Sequence, residues 1–379
     1  MDCQNGLFRI KFLKMQKKKI TLVGYYGYDN LGDDIMLDCI LKEIANQIPN
    51  IKVEIICKNS ENLSSILSKY EYVNHIEFKS KNKFQNFKIY IKSIRNSDIT
   101  IWGGGTCFSD EDGIGNFKYF IFNILLNKPF AYLGIGIGNL NKVRSKIKTK
   151  ILFKTMLFAT IRDNTSYKFA KRKYIQKNIF LTSDLSYLFK ISNKRIEKPY
   201  ILISFRDLRN FYSSSEIEKR HTNILNFVSE IAIKENLQVL FLPIDSVKDS
   251  AINERNSIYF SNNYSIKSEY ILDNKLNSKI NYIQNAKYNF SERLHSLVIS
   301  KFCHLNCVGL SYSPKIDRFF EEIDSKSYIP YDKEMNQKEI EKAFSYVTEI
   351  SNLEEIEKKT KTAKQNISYL KKFIYAEET

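Results

Sequence analysis

The chain has 379 residues, with 59 Lys+Arg against 42 Asp+Glu and a formal net charge of +17. At 43% hydrophobic and 13% aromatic it carries ample material for folded cores, and its length predicts two domains, or three at most. No apolar run approaches the roughly 18–20 residues of a membrane-spanning helix, and the basic start MDCQNGLFRIKFLKMQKKK lacks the apolar region and cleavage site of a secretion signal.

KKITLVGYYG (18–27) reads as a strand ending in glycine, behind a basic arm over residues 1–18. LGDDIMLDCILKEIANQIP (31–49) repeats apolar residues at helical spacing, KVEIIC (52–57) is a strand and ENLSSILSKY a short helix. DITIWGGG (98–105) and KPFAYLGIGIG (128–138) are strands running into glycines, the second followed by a basic helix. FATIRD (158–163) and KNIFLTSD (177–184) complete a first set of strands. The pattern then restarts. PYILISFRD (199–207), LQVLFLPID (237–245), KYNFSE and LNCVGLSYSP (305–314) are strands. The helices SEIEKRHTNILNFVSEIAIKEN (215–236), KINYIQNA (279–286), RLHSLVISKFCH and KIDRFFEEI alternate with them. An Asn/Ser-rich stretch up to about 275 reads as irregular after a polar helix, and the chain is helical from about 336. Strands alternating with helices build parallel sheets. The expected fold is α/β, two Rossmann-like domains facing across a cleft (GT-B-like). Their limits are 19–195 for an acceptor domain and 196–335 for a donor domain, with a helical segment over 336–379.

Charge divides at the same place. Residues 1–200 hold 34 basic and 17 acidic residues, whereas 201–379 hold 25 of each. Residues 142–178 alone carry 12 basic residues against Asp163. Such an excess fits a polyanionic partner. A nucleic-acid role has the charge but no recognisable binding motif beside it, and none is expected.

The six cysteines (3, 39, 57, 107, 303, 307) form no disulfide framework and no CxxC pair, consistent with reduced thiols in the cytoplasm. The four histidines (75, 221, 295, 304) show no paired zinc spacing, and Cys303-His304-Leu305-Asn306-Cys307 runs through an apolar stretch. No bound metal is expected.

Ligands in parallel sheets bind at the carboxyl ends of the strands. There stand YYGYDNLGDD, GGGT, GIGIG, RD and TSD. GIGIGN has Asn139 where a dinucleotide fingerprint needs its third glycine, and no GK[ST] follows GGGTCF, so neither NAD nor ATP is supported. Gly104, Gly105 and Thr106 form either a tight strand-to-helix turn or a substrate-contacting loop. Asp29, Asn30, Asp33 and Asp34 crowd the first strand's mouth, where carboxylates cap a helix or serve as sugar ligand or general base. In SERLHSLVISKF, Arg293 and His295 flank the apolar Leu294 at a strand-to-helix junction. A guanidinium there can hold a carboxylate or phosphate, and an imidazole can donate a proton. Arg206, after the strand of SFRD, and Lys315, ending SYSPK, add two cations to the same half.

Taken in order, GYYGYDNLGDD, WGGGTCFSD, YLGIGIGN, ATIRDNTSY, LTSDLSYLF, ISFRD and SERLHSLVISKFCHLNCVGLSYSPK resemble the polysaccharide pyruvyl transferase family over about residues 19–325. The resemblance implies a transferase that moves the enolpyruvyl unit of phosphoenolpyruvate onto a sugar of a surface polysaccharide, or of its lipid-linked precursor, as a pyruvate ketal. It needs no cofactor beyond that donor. It implies Arg206, Arg293, Lys315 and Leu294 in the donor pocket, and His295 as acid. Asp33, with Asp29 as second choice, would be the base, and Asn30, Gly104, Gly105 and Thr106 would meet the acceptor. The competing reading is a GT-B glycosyltransferase with a nucleotide-sugar donor. The basic helix beginning Lys142, Arg144, Lys146, Lys150, Lys154, with Ile147, Ile151 and Leu152, is expected to dock on an anionic membrane face. A lipid-diphosphate-linked glycan acceptor at the inner face of the cell membrane would suit that surface.

Overall fold

The computed structural model describes residues 18–78, 82–174, 178–190, 198–348 and 353–375. Of the expected basic arm, only Lys18 falls among them.

The N-terminal sheet is built from β1 (Lys19–Val23), β2 (Lys52–Cys57), β3 (Val73–Glu77), β4 (Ile99–Gly103), β5 (Thr106–Ser109), β6 (Gly113–Ile114), β7 (Phe130–Ile137), β8 (Phe158–Ile161) and β9 (Ile179–Leu181). Its order is β3-β2-β1-β4-β7-β8-β9, all parallel. β5 continues β4 along the same edge of β7, and β6 folds back on it as an antiparallel hairpin. The central strands are apolar along their whole length, as β7 shows with FAYLGIGI buried at every position, because helices cover both faces. One face carries the helices Lys83–Arg95, Phe117–Leu125, Val143–Thr155 and Asn164–Tyr174, neighbours in that order over a core of Tyr90, Ile94, Phe120, Tyr132 and Phe153. The other carries the helix Leu31–Gln47.

The second sheet contains β10 (Tyr200–Ser204), β11 (Gln238–Phe241), β12 (Ser268–Tyr270), β13 (Tyr288–Ser291), β14 (Asn306–Leu310) and β15 (Tyr328–Ile329), in the parallel order β12-β11-β10-β13-β14-β15. Numbered within its own domain this is 3-2-1-4-5-6, the doubly wound Rossmann order, whose strand order reverses beside β10. Residues just after β10 and β13 therefore open onto one crevice.

Three details differ from the sequence expectation. The Asn/Ser-rich stretch contains β12, a three-residue edge strand too short and polar to show a period. GGGT leads into a strand, not a helix: Gly104 and Gly105 adopt φ of 76° and 79° and bend β4 into β5. The C-terminal segment also divides. The helix Gln337–Ser345 packs on the helix Ser214–Glu235 of its own domain. The helix Leu353–Tyr375 instead crosses back to the N-terminal domain, where Phe373 stacks on Phe158 at 4.6 Å. There Asn366 also reaches Thr182 Oγ1 at 2.9 Å and the Ser183 carbonyl at 3.1 Å.

The domains share a core as well as a cleft, because Leu31, Ile35 and Leu297 belong to one buried cluster. A polar clasp adjoins it. Leu31 N–H donates to the Ile244 carbonyl at 3.0 Å, Ser246 N–H to the Asp29 carbonyl at 3.3 Å, and Asn30 Nδ2 to Asp245 Oδ2 at 3.2 Å. Lys279, 1% exposed, spans the clasp with its ammonium on the Asp29 carbonyl at 3.0 Å, and burial lowers its pKa to about 8.

Candidate active site

The cleft narrows to a cavity of about 520 Å³ at the carboxyl ends of both sheets. Asn30, Asp33, Gly104, Gly105 and Thr106 line it from one domain, and Arg206, Arg293, Leu294, His295 and Lys315 from the other. Ten of the eleven residues singled out in the sequence thus meet in one space.

Asp29 does not line it. Its backbone is left-handed, with φ of 52°, and its carboxylate accepts from Asn62 Nδ2 at 3.0 Å. It belongs to the clasp between the domains, and the structure corrects its assignment as a second-choice base. Asn30 N-caps the helix Leu31–Gln47 through its Oδ1, which accepts from Gly32 N–H at 3.0 Å.

Asp33, in the first turn of that helix, lines the cavity. Burial first, and the charge of Asp245 second, raise its pKa to about 7 against the opposing pull of Lys248, Arg293 and Arg162. Gly105 lies directly beneath: a Cβ there would stand 3.5 Å from Asp33 Oδ1. Asp34 points the other way into the core, 1% exposed with no hydrogen-bond partner, and burial raises it to about 8.

His295 follows Leu294 at the start of the helix Leu294–Phe302. Its imidazole lies against Gly32, where a Cβ would come within 1.9 Å of Nδ1. Its Nε2 is buried, 3.8 Å from Asp184 Oδ1. Asp184 caps its own short helix by accepting from Ser186 N–H at 2.9 Å, and Oδ2 accepts from Arg162 at 2.6 Å. Burial works to raise the Asp184 carboxyl, but the Arg162 guanidinium and His295 outweigh it and hold it far below the usual carboxylate range. Arg162 also donates to Thr106 Oγ1 at 2.8 Å, so the hydroxyl predicted to meet the acceptor is already an anchor for the arginine.

The cations of the second domain are held in different ways. Arg293 is committed: Nε donates to Asp249 Oδ2 at 2.7 Å and an Nη to Oδ1 at 2.5 Å, with Asp245 3.7 Å away. The bidentate grip expected for a ligand is made to a buried carboxylate, leaving the remaining edge of the guanidinium to the cavity. Arg206 lies beside the edge-to-face pair Phe211 and Tyr312, its guanidinium carbon 5.2 and 4.6 Å from their ring centres. It donates to the Tyr312 hydroxyl, and reaches across the cleft to Asp112 Oδ1 at 3.0 Å. Lys315 stands in the first turn of the helix Pro314–Glu322 rather than at a strand end, its ammonium 5.1 Å from the Tyr312 ring centre. Burial and then Arg206 push its pKa down, and among the described residues it forms no ion pair. Glu292 sets the spacing of these groups. Fully buried, it accepts from Arg220 Nε at 2.8 Å and from the Arg206 backbone N–H at 2.9 Å. Burial opposes ionisation, but His221 and Arg220 hold its carboxyl at about 2.

Sequence reasoning did not single out Asp112, Arg162 or Lys248 as site residues, although all three line the cavity. Arg162 was visible as the strand-end RD of ATIRD. Asp112 sits on the β5–β6 hairpin and Lys248 beyond LPID, and neither position carried a signal. Among the described residues no three His, Cys, Asp or Glu side chains gather as a metal-ligand set.

Two doubly wound domains enclosing a cavity at their strand ends define a GT-B-like architecture. The UDP-GlcNAc 2-epimerase of Neisseria meningitidis, solved with UDP-GlcNAc, shares it with a TM-score of 0.64 at 12% identity, covering 94% of this chain and 100% of that one. A putative UDP-N-acetylglucosamine 2-epimerase of Listeria monocytogenes gives 0.63 at 12% identity, over 96% and 98%. The UDP-GlcNAc 2-epimerase of Methanocaldococcus jannaschii gives 0.62 at 14% identity, over 93% and 99%. At such identities the likeness is one of fold. No curated protein matches the sequence. The polysaccharide pyruvyl transferase family matches residues 30–314, a span that holds the cavity-lining residues other than Tyr25 and Lys315, and the chain belongs to that family of transferases.

Proposed function

We propose that this enzyme transfers the enolpyruvyl unit of phosphoenolpyruvate onto two hydroxyls of one sugar, making a cyclic pyruvate ketal and releasing phosphate. The observation that carries the reading is the convergence on one cavity of Arg206, Arg293, Lys315 and His295 from one domain and Asp33 from the other. Phosphoenolpyruvate presents a carboxylate and a phosphate on three carbons, and needs fixed cations at short spacing. Lys315 stands in the first turn of a helix, where the N-terminus favours an anion, and its ammonium interacts with Tyr312 and Asp112 without a contact ion pair among the described residues. Arg206 would add a planar guanidinium once Asp112 gives way.

A proton reaches the methylene carbon, which becomes a methyl group, and the adjacent carbon takes on oxocarbenium character. One sugar oxygen bonds to that carbon as its own proton passes to a base. The carbon–oxygen bond to phosphate then breaks, and phosphate leaves with the bonding pair. The second hydroxyl closes the ring, and its proton leaves with the phosphate. His295 is the proposed acid. Its ring lines the cavity with Nε2 3.8 Å from Asp184 and Nδ1 against Gly32. Asp33 is the proposed base, and a pKa of about 7 leaves it partly ionised at neutral pH while keeping it a competent proton acceptor. Neither step passes electrons to a carrier, so the proposal includes no redox cofactor and no metal. We place the acceptor, a glycan carried on a lipid diphosphate, over Gly104, Gly105 and Trp102, at the cytoplasmic face of the cell membrane.

Thermal unfolding with phosphoenolpyruvate, and separately with UDP-, GDP- and CMP-sugars, tests the donor. Stabilisation by phosphoenolpyruvate that is lost in Lys315→Ala is expected. Stabilisation by a nucleotide sugar alone would replace this reading with the glycosyltransferase one.

A further inference from the structure

The helix layer of the N-terminal domain has a composition its core does not require. The helices Lys83–Arg95, Phe117–Leu125, Val143–Thr155 and Asn164–Tyr174 carry four, one, five and four Lys or Arg and no Asp or Glu. They lie side by side over one face of the sheet, so these charges share one surface. The helix Val143–Thr155 is anchored by Leu152 and Phe153, both fully buried. It buries Ser145 and Thr149 and turns Val143, Ile147 and Ile151 outward, 70%, 54% and 37% exposed. Those three positions, four residues apart, form a single stripe. Leu152 of the same helix is buried, so the aliphatic face expected from the sequence consists of Val143, Ile147 and Ile151. Leu125, on the adjoining helix, and Phe84, one helix further along the layer, are exposed at 70% and 65%.

We propose that this layer is a docking surface for an anionic lipid bilayer. Val143, Ile147 and Ile151 enter the boundary between headgroups and acyl chains, while the surrounding Lys and Arg pair with lipid phosphates. The charge alone would suit a polynucleotide, but exposed aliphatic side chains add nothing to phosphate contacts. A second copy of this chain would set two such positive surfaces against each other. The layer also adjoins the site: Phe117, Lys118 and Lys148, from two of its helices, line the cavity. Docked in this way, the cavity opens at the membrane, where a lipid-linked sugar is held. That last point rests on the reaction proposed above, whereas the docking surface does not.

Flotation of the full chain with vesicles of phosphatidylcholine, with and without phosphatidylglycerol, tests the proposal. Binding to the anionic vesicles alone, lost at high salt, is expected. The triple variant Val143→Ser, Ile147→Ser, Ile151→Ser should lower partitioning by about tenfold or more while unfolding at the same temperature, since all three side chains are solvent-exposed. Lys146→Glu with Lys150→Glu should do the same. Equal binding to neutral vesicles would overturn the proposal, as would unchanged partitioning of the triple variant, or salt-sensitive retention on DNA without vesicle binding. Vesicle binding by a chain that transfers no pyruvyl group would leave the docking surface standing and count against the reaction.

Discussion

Gly32 and His295, from opposite domains, are in direct contact: a Cβ on Gly32 would stand 1.9 Å from Nδ1 of the imidazole. Glycine is therefore required at this point by the neighbour across the cleft. Its presence lets the helix carrying Asp33 approach the proposed acid. Gly32→Ala should displace the imidazole and lower kcat by about a hundredfold, the scale of a misplacement near 1 Å, with a small change in thermal stability. Turnover close to wild type would show that the imidazole's position is not critical.

Asp33 gives the reaction a pH signature. With its pKa raised to about 7, the base is protonated in weak acid and ionised above neutrality. The rate should climb through about pH 7, and Asp33→Asn should remove that limb along with most of the turnover. Stability runs the opposite way. Between the ordinary carboxylate range and pH 7, the unfolded chain has released this proton and the folded chain still binds it. Stability therefore falls as pH rises through that window and levels off above it. Asp34, raised to about 8 by burial, extends the fall. Asp34→Asn should raise Tm at pH 8 and leave it little changed at pH 4; a lower Tm at pH 8 would contradict the assignment.

Asp112 occupies a cation assigned to the proposed donor. Its carboxyl is held at about 2, burial being outweighed by Lys315 and Arg206, and its side chain remains 26% exposed on the hairpin. Asp112→Asn should lower KM for phosphoenolpyruvate by roughly fivefold, the scale of a partly exposed ion pair. An increase in KM would instead mean that Asp112 helps to bind substrate.

Arg293 and Lys315 should separate under mutation. Arg293→Ala strands Asp249, which is fully buried, and should cost about 3 kcal/mol of stability or more along with activity. Lys315 forms no contact ion pair among the described residues, although its charge acts on Asp112, so Lys315→Ala should raise KM with a smaller loss of Tm than Arg293→Ala. Equal losses of Tm in both variants would contradict this division.

Much of this was legible because local rules place residues at strand ends. β1, β4, β8, β10 and β13 all fall within the strands read from the sequence, each stopping short of the expected end, and ten proposed site residues line one cavity. Failures came where the decisive partner is remote in sequence. Asp112 meets Arg206 94 residues away, and nothing on a hairpin turn announces that partner. Asp29 has the composition of a base, but its left-handed backbone and Asn62 turn it into the clasp. Arg293 kept its expected place while its guanidinium went largely to Asp249, whose own segment carried no motif.

The most direct measurement is mass spectrometry of a sugar carried on a lipid diphosphate after incubation with the enzyme and phosphoenolpyruvate labelled in its three carbons. The account predicts a product heavier by the labelled three-carbon unit with two hydrogens and two oxygens, together with release of one phosphate and loss of both in His295→Ala. Transfer of a glycosyl group from a nucleotide sugar, with phosphoenolpyruvate left intact, would contradict it.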